Sequence, residues 1–484
     1  MTVNIGDHMQ ANEREELPVV VIGAGPIGLA AASHLLERDL EPLVLEAGES
    51  AGSAVSQWGH VRMFSPWQYN IDAAASRLLS ATGWTAPADD ALPTGAELVR
   101  DYVAPLAATA QISSRLRTGG RVLAVARDGA DKTRSLGRER RGYRVRTLNT
   151  DGRVEDIRAR AVIDCSGTFT TSNPLGASGM PAHGESDAAA FVAGPLPDVL
   201  GRDRTRFAGK RTLVVGMGHS AANTLLQLLE LGESEEGTSV TWAIRGGSTR
   251  RLTGGGADDE LPARGLLGTR LQAAADAGDV ALIKHVSIEQ LVAGSHSVRV
   301  VGSTRAGDLD LEVDVIVNAT GFRPDLDMLR EVRLDLDAVV ESPTGLASLI
   351  DPNLHSCGTV SPHGEALLRH PDDGFYLAGM KSYGRAPTFL LATGYEQVRS
   401  IAAALAGDRA SADLVQLNLP ATGVCNTDMG ETPGDGVAES CCGGTAQSPQ
   451  PVALPTLASV GVGFATGVAD GRSGDAPATG GSCG

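Results

Sequence analysis

One local pattern occurs twice in this chain and constrains its fold more than any other feature. An apolar strand runs into a glycine turn, and an apolar helix opens directly off that turn. The first copy reads LPVVVIG, AGPIGLAAASHLLER and EPLVLE, ending near residue 46. The second starts at Arg211 and reads RTLVVG, MGHSAANTLLQLLEL and SVTWAIR. Strands that alternate with helices in this way predict βαβ units and parallel sheets.

In the first turn, Gly23-Ala24-Gly25-Pro26-Ile27-Gly28, each glycine has its own task. Gly23 permits the tight turn, Gly25 lets the backbone approach a pyrophosphate, and Gly28 lets helix and strand pack closely. The helix then offers its free N–H groups and positive dipole end to phosphate. Glu46 ends the second strand, where a carboxylate accepts hydrogen bonds from ribose hydroxyls. The second turn is Gly216-Met217-Gly218-His219-Ser220-Ala221, with alanine as the third small residue. His219 reads as a turn residue beside cofactor phosphates. The following strand ends in Arg245, with Arg250 and Arg251 close behind, instead of an acid. An acid there repels a 2′-phosphate and an arginine attracts one, so NADPH is expected over NADH; the competing reading of Arg245 is a solvated surface charge. Two such sites suggest one tightly held FAD, near the N-terminus, and one exchanging NADPH that presents its nicotinamide to the flavin.

Composition narrows the remaining possibilities. The 484 residues allow two or three domains. The net charge of −17 makes the chain a poor ligand for nucleic acid or anionic membrane. No apolar run approaches a membrane span and the polar start shows no secretory h-region, so the expected location is cytoplasmic. None of the six cysteines forms a C-x-x-C pair, which speaks against a dithiol–disulfide reductase and against a disulfide scaffold.

With these motifs in order, the chain resembles the two-dinucleotide-binding flavoproteins, and within them the flavin-containing monooxygenase-like branch. The resemblance spans about residues 18–407. It rests on Gly23–Gly28, Glu46, Gly216–Ala221 and the segment Ala319-Thr320-Gly321-Phe322-Arg323-Pro324-Asp325. The last is similar to the turn by which such chains return from the NADPH domain to the FAD domain. Gly379–Ser400 and Trp58–Trp67 look like the ArsO-like flavoproteins associated with arsenic and metal resistance. The implied fold is α/β, with two Rossmann-like three-layer ββα/βαβ dinucleotide-binding domains and the NADPH domain inserted in the FAD domain. The implied organisation is the FAD domain at 18–205 and 326–407 with the NADPH domain at 206–325; the sequence's own composition adds an expected disordered leader at 1–17 and disordered tail at 408–484.

The implied activity is transfer of a hydride from NADPH to FAD, then oxygenation of a soft heteroatom, sulfur or trivalent arsenic, in a small molecule with O2. Two departures bear on this. Phe191–Lys210 has no histidine where the branch carries its F-x-G-x-x-x-H fingerprint, which leaves a reductase or oxidase without oxygen insertion as the alternative. Gly379 is followed by Met380 and Lys381, where the usual aspartate is missing, so another group must meet the ribityl chain. By the resemblance, Trp58, His60, Arg62, Ser65, Trp67 and Asn70 line the cavity near the isoalloxazine ring. His60, Arg62 and Asn70 are the candidates for chemistry there, against packing and structural hydrogen bonding. The resemblance also aims the last helix, expected over Thr388–Ala406, at the flavin, with Arg385 or Lys381 adding positive charge; the alternative for Arg385 is an ordinary surface arginine.

Cys165 reads as a small buried residue in a strand-to-turn segment, and His355, Cys357 and His363 as a structural loop or a soft-ligand cluster. Residues 420–484 are too poor in apolar groups to offset their chain entropy. Within them Cys425, Cys441, Cys442 and Cys483 are either spare thiols or a soft site for a trivalent metalloid. A non-catalytic metalloid-binding flavoprotein is therefore a further alternative, and the oligomeric state, homodimer included, stays open.

Overall fold

Val19–Ile22 is buried along its whole length, which a strand achieves only when both faces of its sheet are covered. In the computed structural model, residues 15–249, 262–352, 360–386 and 389–417 are described. All fall in a unit spanning Met1–Gly430; the second unit, Glu431–Gly484, lies outside the described residues. So do Arg250, Arg251, His355, Cys357, Pro387, Thr388 and the four tail cysteines.

The first half contributes β1 (Val19–Ile22), α1 (Pro26–Leu36), β2 (Pro42–Leu45), β3 (Leu116–Arg117), β4 (Gly120–Arg127), β5 (Tyr143–Asn149), β6 (Val154–Ala159) and β7 (Ala161–Asp164). Next come β8 (Val192–Ala193), β9 (Arg211–Val215), α2 (His219–Ser234), β10 (Ser239–Ala243), α3 (Pro262–Ala277) and β11 (Ala281–Ile283). The rest are β12 (Ser287–Ala293), β13 (Val298–Thr304), β14 (Gly307–Val313), β15 (Val315–Asn318), β16 (Phe375–Leu377) and α4 (Leu391–Leu405).

Two five-stranded sheets organise the chain, ordered β16-β7-β1-β2-β3 and β11-β10-β9-β15-β8, and their paired strands are parallel. The first sheet takes strands from both ends of the sequence, and the second is built wholly between Val192 and Asn318. This is the inserted-domain arrangement expected from the order of motifs. The second sheet already includes Val192–Ala193, upstream of residue 206. Each sheet is accompanied by a three-stranded antiparallel one, β4-β5-β6 and β12-β13-β14.

α1 is buried from Pro26 to Leu35, so it has no solvent face. It packs against α4, where a Cβ on Gly394 would stand 2.6 Å from Ile27 Cδ1, so the two helices meet where α4 has no side chain. The apolar stretch LEVDVIVN carries parts of two strands. Asp314 divides it into β14, which alternates in exposure, and the fully buried β15. The Asp314 carboxylate accepts the Arg211 N–H at 2.8 Å and so ties the break to β9. Order also begins ahead of residue 18: Arg160 donates to the Glu15 carbonyl at 3.4 Å.

Candidate cofactor site

At the carboxyl end of β1, Gly23 has φ +98°, and a Cβ there would stand 2.9 Å from the Cys165 carbonyl oxygen. A Cβ on Gly28 would overlap the Gly23 carbonyl oxygen. On Gly25 it would meet nothing within 4 Å. The second turn repeats this arrangement. Gly216, at φ +135°, would strike the Ala319 carbonyl, whereas Gly218 opens onto free space. Ala221, the third small residue there, is fully buried.

Gly25 and Gly218 are also the N-caps of α1 and α2, and neither helix has a side-chain cap. The first-turn N–H groups have no intrahelical acceptors, and the glycine that caps each helix borders open space, an arrangement that fits a pyrophosphate. Both turns lie at the carboxyl edges of parallel sheets, where such sheets bind ligands. The residues present therefore fit two dinucleotides. Glu46 is partly committed: its carboxylate accepts the N–H of Ala24 at 2.7 Å and of Gly48 at 2.8 Å, pinning the first turn from behind.

Beside the first turn, two features of the first sheet were not legible in advance. Lys381 donates to Asp164 Oδ2 at 2.6 Å and to Ser166 Oγ at 3.0 Å, and Ser166 Oγ donates to Asp164 Oδ1 at 2.6 Å. Lys381 and Asp164 are buried, while Ser166 is exposed. The lysine standing near the missing aspartate thus anchors to an aspartate on β7. The only signal for this in the sequence was an acid and a base at the ends of apolar strands, where isolated charges are not tolerated.

The second feature is a buried polar chain holding Gly379. Its N–H donates to Gln397 Oε1 at 2.8 Å, and the Gln397 amide nitrogen donates to Ser382 Oγ at 2.9 Å. The same amide nitrogen lies 2.9 Å from His363 Nε2, and His363 Nδ1 lies 3.0 Å from the Ser361 carbonyl. A carbonyl only accepts, so Nδ1 carries the proton and Nε2 accepts from Gln397. Burial holds the His363 pKa below its usual value, consistent with this neutral form. His363 is thus engaged with Gln397. Among the described residues no cluster of three or more His, Cys, Asp or Glu is placed to hold a metal.

The segment expected to line the reaction cavity is divided in its roles. Asn70 is fully buried; its side chain accepts from Ser65 Oγ and donates to the Ser65 carbonyl, both at 2.7 Å, and its own carbonyl accepts from Tyr395 at 2.7 Å. Its amide is occupied in holding the loop. Arg62 is exposed and donates to the Leu92 carbonyl at 2.5 Å. Trp58 packs against the turn at Gly95, where a Cβ would lie 2.7 Å from its ring, and Trp67 is 3% exposed. His60 is half-buried. Phe64, from the same segment, reaches the second glycine turn, its ring centroid 4.8 Å from that of His219.

Arg385 is exposed and paired with Glu341 at 2.8 and 3.0 Å, the ordinary surface arrangement. Thr320 Oγ1 donates to the Asn173 carbonyl at 2.8 Å, and Gly321 accepts the Asn173 N–H at 2.9 Å. That segment is therefore braced against residues 171–173. Arg245 is exposed at the end of β10, and Ser220 lies in the first turn of α2. The Cys165 thiol is pushed well up by burial and by the neighbouring Asp164 carboxylate, the opposite of an activated thiolate.

The model of the family described as "Pyridine nucleotide-disulphide oxidoreductase" matches residues 20–344. Among solved structures, the chain is similar to the bacillithiol disulfide reductase of Bacillus cereus, with 20% identity and a TM-score of 0.57 over 81% of this chain and 99% of that one. A cadaverine monooxygenase of desferrioxamine biosynthesis from Erwinia amylovora, bound to FAD, gives 14% and 0.56 over 85% and 99%. An ornithine N-hydroxylase from Kutzneria, with reduced FAD and NADP+, gives 17% and 0.52 over 82% and 100%. At these identities the structural likeness is one of fold.

Proposed function

The chain belongs to the pyridine nucleotide-disulphide oxidoreductase family and is an FAD- and nicotinamide-dependent oxidoreductase, and from that premise we propose that it draws on NADPH to oxygenate a soft heteroatom, sulfur or trivalent arsenic, of a small molecule. The observation that carries the cofactor reading is the paired cradle: Gly25 and Gly218 stand open while the glycines around them are closed in. FAD, when bound, supplies a two-electron relay between the nicotinamide and the acceptor.

The chain's own residues have separable tasks. The N-terminus of α1 binds the FAD pyrophosphate, with Glu46 holding the turn in shape. The N-terminus of α2 binds the NADPH pyrophosphate, and Arg245 meets the 2′-phosphate. Lys381, Asp164 and Ser166 shape the strand ends on the flavin side, in the place of the missing aspartate. Gln397 fixes Gly379. Tyr383 and Phe389, ring centroids 5.1 Å apart, pack with the core around β1 and α1 and help exclude water there.

What favours oxygen over a protein dithiol as the acceptor is the cysteine chemistry. The sequence holds no C-x-x-C pair, and the Cys165 thiol is held protonated. The overall reaction balances as NADPH, a proton, O2 and the heteroatom going to NADP+, water and the oxygenated product. A second reading, oxidase or reductase action without oxygen insertion, is favoured by the absence of the fingerprint histidine in Phe191–Lys210.

The deciding experiment supplies FAD-loaded protein with NADPH and O2, and either a thioether or arsenite. One oxygenated product per NADPH supports the proposal. Hydrogen peroxide as the sole product with either acceptor overturns it in favour of the oxidase reading.

A further inference from the structure

The strand beside Arg245 holds a group that the motif does not announce. β11 pairs in parallel with β10, Ala243 opposite Ile283. Beyond that pair the two segments stay together. The Ile244 N–H donates to the Ile283 carbonyl at 2.9 Å, the Val286 N–H to the Ile244 carbonyl at 3.0 Å, and the His285 N–H to the Gly246 carbonyl at 3.2 Å. His285 is therefore fixed beside Arg245–Gly247 at the carboxyl edge of the second sheet.

Its conformation is unusual. His285 has φ +57°, in the left-handed region that residues other than glycine enter rarely and at a cost. Its ring lies against Gly247, where a Cβ would stand 2.6 Å from Cε1 and 2.7 Å from Nε2. The loop after Arg245 is thus shaped around an imidazole, and only glycine at 247 leaves room for it. The His285 ring is half-buried, and its nitrogens make no hydrogen bond to a described residue. Arg245 is exposed and likewise makes no ion pair among the described residues. A permanent cation and an uncommitted imidazole N–H donor therefore share one edge, a combination suited to a phosphate monoester.

We propose that His285 is a specificity-determining residue that binds the adenosine 2′-phosphate of NADPH together with Arg245. The proposal rests on the NADPH reading above and adds a second strand to it. Arg245 supplies charge from β10; His285 supplies a directed hydrogen bond from the end of β11. NADH, with a 2′-hydroxyl, gains nothing from either.

The test measures calorimetric binding of adenosine 2′,5′-bisphosphate and of 5′-AMP to FAD-loaded, full-length protein. Neither probe carries a nicotinamide, so the readout is independent of turnover. The parent prefers the bisphosphate. His285→Asn, which tolerates a left-handed backbone, and His285→Gly, which relieves it, each weaken bisphosphate binding about tenfold and leave 5′-AMP within about twofold. Equal weakening of both probes assigns His285 to packing of the Gly247 loop and overturns the proposal. Unchanged binding of both overturns it too, while a parent preference that Arg245→Ala abolishes leaves the NADPH reading standing. A parent with no preference overturns both.

Discussion

Lys381 and Asp164 form an ion pair whose side chains are 1% and 0% exposed, with Nζ 2.6 Å from Oδ2. The pair joins the end of β7 to the turn after β16, two strands that are neighbours in the first sheet and far apart in sequence. A buried pair of this kind gains little over an apolar substitute, but breaking it strands a charge. Lys381→Met should therefore cost about 3–5 kcal/mol in urea unfolding. The double variant with Asp164→Leu should recover most of that loss. An equal loss in the double variant would mean that the ion pair is not what the fold depends on.

The glycines of each turn should separate binding from stability. Gly25→Ala places its methyl in open space, so the apoprotein should unfold within about 1 kcal/mol of the parent while FAD binds at least tenfold more weakly. Gly28→Ala drives its methyl into the Gly23 carbonyl and should destabilise the apoprotein itself. Calorimetry and FAD titration on both variants check this; equal behaviour would remove the assigned roles.

Arg245→Ala should weaken NADPH binding about 10- to 150-fold, the worth of one charge-assisted contact of about 1.5–3 kcal/mol, and leave NADH little changed. A constant NADPH/NADH ratio would return Arg245 to the solvated surface.

Two buried histidines predict the acid limb of stability. Burial lowers the His370 pKa from 6.5 to about 4 and lowers that of His363 as well. Between those values the unfolded chain binds protons that the folded chain does not. The stability is therefore complete above pH 6.5 and is lost as pH falls toward 4. The His370 share is about 3 kcal/mol once pH has fallen below 4, and about 2 kcal/mol of it is lost by pH 5. Urea unfolding at pH 7 and pH 5 should show the loss, and His370→Asn should reduce it. An unchanged difference in the variant would contradict this origin.

The local framework of the fold was legible because it is written locally. An apolar run with no alternation gave β1, and three glycines of different crowding gave the turn and α1. The division at Asp314 was not legible, since LEVDVIVN is apolar enough to read as one strand and its two parts differ in their pairing, β14 with β13 and β15 with β9. The Lys381–Asp164 pair was hidden for another reason. Its partners lie 217 positions apart, and no periodicity links them. Asn70 and Arg62 are candidates for chemistry by the resemblance alone, and what the sequence did not announce is the bonds their side chains make: to Ser65 in one case, to the Leu92 carbonyl in the other. His285 carries no motif; its place follows from strand pairing and a backbone angle.

The most direct test of the whole account is an anaerobic titration of the FAD-loaded protein with NADPH, followed by its visible absorption. The FAD-loaded protein is expected to be yellow and to bleach with about one NADPH per flavin. A protein that takes up no FAD, or whose bound FAD stays oxidised in excess NADPH, would contradict it.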